Sequence, residues 1–124
     1  MKKSLGQSLV EFAIIVPIFL LLVMGTIEIG RLFYIKIALQ NAAREGAYYL
    51  SYNPTDLSGM MFTVKEEANS VGVEVLDDQI DVNNCCTPGD YVEVVVNQED
   101  VPLLVFGFLT GDLDLSSTAR MMVQ

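Results

Sequence analysis

The chain has 124 residues, 52% of them hydrophobic, a formal net charge of −9 and no histidine. That length suits one small domain plus one membrane segment. The missing imidazole excludes His-ligated metals and imidazole-based catalysis, and an acidic surface with nothing to neutralise phosphates argues against nucleic acid as a partner.

The apolar excess, a mean hydropathy of +0.42, is concentrated near the N-terminus. Phe12 to Ile27, FAIIVPIFLLLVMGTI, carries no charge. At about 1.5 Å per residue it makes roughly 24 Å of helix, short of a hydrocarbon core of about 30 Å. Leu9 and Val10 before it and Ile29 to Ile35 after it make up the difference. A single transmembrane helix is expected. Lys2 and Lys3 are the only charges before Glu11 and favour the cytoplasmic side, so everything after about Arg31 is expected outside.

An ordinary secretory signal ends with a small-x-small site after its apolar run. None occurs between Ile18 and Ala47, whereas Ser4 and Gly6 form one ahead of the run. A cut between Gly6 and Gln7 would remove the basic leader and keep the membrane segment, with Glu11 as the fifth mature residue. A charged carboxylate costs about 2.5–3.5 kcal/mol at the bilayer centre and much less near the interface. In a packed helix bundle Glu11 would need a partner or a proton.

From Gly6 to the NAAREGA block at Asn41–Ala47, these features resemble the TadE-type segment of tight-adherence (Tad) pilus assembly proteins, pilin-like members of the type IV filament superfamily. The resemblance rests on a glycine before the cut, Glu11 at the right spacing, Phe12 opening an apolar run that contains Pro17, and the downstream block. It implies processing at Gly6–Gln7 by a prepilin peptidase. It also implies assembly through the N-terminal helix, with Glu11 meeting the N-terminal amine of an adjacent subunit. The partners it implies are other copies of this chain or other pilins, the peptidase, the pilus assembly platform and membrane lipid. The implied location is the cytoplasmic membrane, with the C-terminal domain outside, or an extracellular filament involved in cell adhesion.

The helix is expected to run from near Ser8 to about Tyr52, with Pro17 as a site of kinking or local unwinding. Gly25 and Gly30 permit close helix approach. Glu28 reads as a local surface pair with Arg31. Beyond the membrane, Ile29, Leu32, Phe33, Ile35, Leu39, Ala42, Ala43 and Ala47 form a broad apolar band, read as packing on this protein's own sheet. Asn53-Pro54 stops the helix. Leu57, Met61, Val64, Ala68 and Val71 recur at helical spacing, which predicts a second helix over 56–71, capped by Asp56 or Ser58 and ended by Gly72.

Strands follow. Val73, Val75, Ile80 and Val82 alternate with acidic residues, YVEVVVNQE at 91–99 is the strongest strand, and 113–123 reads as the last. Pro88-Gly89-Asp90 is turn chemistry. VPLLVFGFLTG, 101–111, is apolar without alternation. It reads as a loop that covers the sheet or docks on the membrane or a neighbour. The expected fold is therefore α+β and pilin-like: a long transmembrane helix continuing into a small external domain with a short helix and a three- to four-stranded antiparallel sheet. Its divisions are a leader at 1–6, a membrane helix at 7–30, its external continuation at 31–54 and the small domain at 55–124.

Cys85 and Cys86 are the only cysteines. A vicinal disulfide, an intermolecular bridge and free thiols all stay open. Asp77, Asp78 and Asp81 are weak calcium candidates. Their spacing does not match a twelve-residue calcium loop, and a solvated acidic face is the favoured reading, with no cofactor. No nucleophile–base set, phosphate loop or paired catalytic acid emerges, so no enzyme is expected. The competing reading is an unprocessed single-pass membrane protein with an extracytoplasmic binding domain.

Overall fold

The computed structural model describes residues 5–85, 87–104, 107 and 111–124. Helix α1, Leu5–Tyr52, runs 48 residues without a break, about 72 Å at the standard rise. Pro17 lies within it and α-helix is continuous on both sides. A helix that is apolar all round has no solvent-facing side, and the large side chains from Leu9 to Met24 are accordingly uncovered on every face.

The C-terminal half of α1 is different. Ala38, Leu39, Ala42, Ala43, Gly46, Ala47 and Leu50 are buried in one stripe at three- and four-residue spacing. Small residues in that stripe let the other layers come close. A Cβ on Gly46 would stand 2.5 Å from Val64 Cγ2 and 3.4 Å from both Met60 Sδ and Val94 Cγ1. Gly46 is thus where α1, the second helix and the sheet meet. Two members of the expected band fall outside it. Ile29 is 54% exposed and Phe33 is 64% exposed, because both point away from the domain.

Helix α2 is Leu57–Ser70 and buries Met60, Val64 and Ala68. Met60, not Met61, is its core methionine, and Leu57 and Val71 are largely uncovered. Asp56 is the N-cap: its Oδ1 accepts the Gly59 amide at 3.0 Å and its Oδ2 accepts the Tyr49 hydroxyl at 2.7 Å. Gly72, at φ +77°, closes the other end. Its amide bonds Asn69 O at 3.0 Å and the Val73 amide bonds Ala68 O at 3.0 Å, the paired bonds of a Schellman motif.

That motif turns Val73 and Val75 into the core, where both are buried outside any strand. Among the described residues the sheet has three strands in the order β1-β2-β3, all antiparallel: β1 Ile80–Asn83, β2 Tyr91–Val101 and β3 Leu113–Met122. Its inner face presents Ile80, Val92, Val94, Val96, Ser117 and Ala119, with Val94 opposite Val82 and Ala119. The turn at 87–90 forms as expected, with Gly89 at φ +88° and the Asp90 amide on Thr87 O at 3.1 Å. Beyond it, the Val123 amide bonds Asp90 O at 2.8 Å and the Gln124 amide bonds Ser51 O at 3.0 Å, tying the end of β3 to the end of α1.

Candidate functional site: the N-terminal helix and its clamp

Gly6, Gln7, Glu11, Phe12 and Pro17 all lie on α1 and are exposed. Gly6 and Gln7 are in its first turn, where helix ends are held least and glycine costs about 1 kcal/mol relative to alanine. Gln7 Nε2 donates to Glu11 Oε1 at 3.5 Å, a long bond one turn away. Among the described residues no segment of the domain covers Glu11, which is exposed on a helix flanked by Leu9, Val10 and Phe12. The basic pair Lys2 and Lys3 lies outside the described residues.

Further along, the structure assembles a polar cluster that sequence reasoning read too simply. Glu28 is only 3% exposed. Its Oε1 accepts the Leu104 amide and stands 3.9 Å from Arg31 Nη2. Arg31 Nη2 also donates to Pro102 O, and one turn on Lys36 Nζ donates to Ser116 O. Glu28 is therefore not a surface pair: it is one half of a clamp that holds the chain after β2 against α1. A β-bulge sets this up. The β2–β3 register shifts between Gln98 and Val101, with Asp100 at φ +54°. An extra residue bends a strand, and here the bend brings Pro102 down to the helix. Backbone N–H groups and carbonyls carry no mark in a sequence, so only the apolar, non-alternating stretch 101–111 hinted at the contact.

Other candidate residues are dispersed. Asp77 ion-pairs with Lys65, Asp81 Oδ2 accepts Asn97 Nδ2 at 3.2 Å, and Asp78 stands in a 3-10 turn at Asp77–Gln79. Among the described residues no group of three or more His, Cys, Asp or Glu is placed to hold a metal ion. Cys85 is disulfide-bonded and its Sγ lies 3.5 Å from Pro54 O. Cys86 lies outside the described residues, and so does most of the stretch 105–110. At the far end of α1, the Tyr49 hydrogen bond, and then the Gly59 amide, hold Asp56 below the usual carboxylate range. The same bond raises the Tyr49 hydroxyl above its ordinary value.

Among the described residues one helix is long and apolar enough to cross a membrane, and a small α+β domain packs along its second half, the build of a membrane-anchored protein. Residues 6–47 match the model of the family described as TadE-like protein. The match covers about a third of the chain and contains Gly6, Glu11, Pro17 and the Asn41–Ala47 block, so over this segment the chain is similar to TadE-like proteins. No curated protein and no solved structure matches the chain significantly.

Proposed function

We propose that this chain is a pilin-like structural protein. A prepilin peptidase cuts it between Gly6 and Gln7, and it then assembles through α1 into a Tad pilus or its assembly complex. The observation that carries the reading is the uncovered first half of α1. From Leu9 to Met24 the domain covers almost nothing, so lipid or neighbouring helices must cover it, and Glu11 is the one charge on that surface. The N-terminus faces the cytoplasm and the domain lies outside. In a bundle of such helices the Glu11 carboxylate meets the new amine of a neighbouring subunit. An ion pair of this kind sets register more than it adds affinity. Nothing in this role asks for catalysis or a cofactor.

Two substitutions test the reading. Replacing Gly6 with a bulky residue (Gly6→Leu) should stop cleavage and leave the chain six residues longer at its N-terminus than the processed wild type. Glu11→Ala should be inserted and cleaved as in the wild type, yet be missing from sheared surface material. If Glu11→Ala reached the surface fraction at the wild-type level, the register role would be wrong. If the wild type itself kept residues 1–6, differing from Gly6→Leu only by the substitution, no cut would occur at this bond.

A further inference from the structure

We propose that the segment Pro102–Leu104 is a second membrane contact, an apolar tip that enters the outer leaflet beside α1; this rests on the reading of α1 as a membrane span with the domain outside. The depth follows from the helix. Leu9 to Glu28 is about 30 Å of helix, enough to cross the hydrocarbon, which puts Glu28 at the outer boundary and Met24 and Ile27 within the leaflet. Leu104 lines a shallow cavity of about 240 Å³ together with Met24, Ile27, Glu28 and Arg31, so it stands at their depth. At 78% it is the most exposed large hydrophobic side chain among the described residues.

Part of the segment's backbone is already hydrogen-bonded. Backbone entering lipid must bring its own hydrogen-bond partners. The Leu104 N–H is taken by Glu28, the Pro102 carbonyl is taken by Arg31, and Pro102 has no N–H to satisfy. Arg31 lines the same cavity as Met24, Ile27 and Leu104, and an arginine with its stem on apolar surface and its head at the interface suits that depth. In sequence, residues 101–111 carry no charge. The residues around the tip are acidic (Asp100, Asp112 and Asp114), and the Asp100 amide is held by Asp114 Oδ1 at 3.1 Å. Insertion therefore draws on apolar burial and not on attraction to anionic headgroups. Continuity with the helix span selects lipid as the occupant over a second copy of the chain.

The chain has no tryptophan, so Leu104→Trp places a single fluorescent reporter in the full-length protein. It is reconstituted in phosphatidylcholine vesicles whose acyl chains carry bromine near the carbonyl end. Leu20→Trp reports the span and Phe62→Trp, on the exposed face of α2, reports the domain. The expected result is blue-shifted, bromine-quenched emission from Leu104→Trp, unchanged when anionic lipid or salt is added, and red-shifted, unquenched emission from Phe62→Trp. Red-shifted, unquenched emission from Leu104→Trp overturns the proposal, and blue-shifted but unquenched emission overturns it in favour of cover by a second copy. Failure of Leu20→Trp to be quenched would instead sink the membrane span itself. A second measurement needs no substitution. A photoactivatable acyl chain should cross-link to residues 102–104 of the unaltered chain, and adducts confined to α1 would contradict the inference.

Discussion

Asp56 joins two structural jobs in one carboxylate, capping α2 through Gly59 and receiving the Tyr49 hydroxyl from α1. Its pKa is lowered in the fold. Its stabilising effect is therefore complete above the unfolded value of about 3.9 and is lost as pH falls through the folded value below it. Tyr49 has the opposite sign. Its raised pKa gives stability that is full below its unfolded value of about 10 and is lost as pH rises through the folded one. Thermal unfolding in micelles should show Asp56→Ala less stable than wild type at neutral pH, with the gap closing in acid below about pH 4. A gap that stayed constant into acid would assign the loss to something other than the charge. Gly46 gives a packing test. Gly→Ala in a helix gains about 1 kcal/mol, but a methyl forced against Val64 costs about 1–3 kcal/mol. Gly46→Ala should be net destabilising by about 1 kcal/mol, and adding Val64→Ala should remove the clash term, a coupling that a double-mutant cycle reads directly.

At the scale of elements, α1 behaves as two helices in one. Its first half is uncovered, and its second half is the central layer of the domain. Gly30 belongs to the uncovered side, with nothing within 4 Å of an added Cβ. Gly30→Ala should raise helix stability in micelles by up to about 1 kcal/mol; a loss of stability would mean that the face is covered by the chain itself. Glu28 belongs to the covered side. Glu28→Ala should speed hydrogen exchange at the Leu104 amide while leaving the β2–β3 ladder protected, and unchanged exchange would contradict the clamp. Much of this organisation was legible in the sequence. The uncharged run, Asn53-Pro54, the Asp56 cap, Gly72 and YVEVVVNQE each mark an element that forms. What failed has physical causes. Near the membrane α1 is apolar on every side, so periodicity could not tell Ile29 and Phe33 from the packed face, and the Met60-Met61 pair offered two choices for one core position. The alternation of Val73 and Val75 reports burial, which they have, and not ladder pairing, which the Schellman turn denies them. The Glu28–Leu104 bond joins a side chain to a backbone amide far along the chain, a contact no local pattern encodes.

For the whole molecule, the structure is a rod with a domain on one half, and the proposed function is the use of its bare half for assembly. Domain and rod are joined by one core, Leu39 and Leu50 of α1 with Met60, Val64, Val92, Val94 and Val96. The central claim is that the bare half is a processed pilin helix. It is tested most directly by the intact mass and N-terminal residue of the protein recovered from native membranes and from sheared surface material. The account predicts a chain that begins at Gln7 in both fractions, the surface one included. A chain that keeps residues 1–6 in both fractions would contradict it, and would return the function to the external domain of an unprocessed membrane protein.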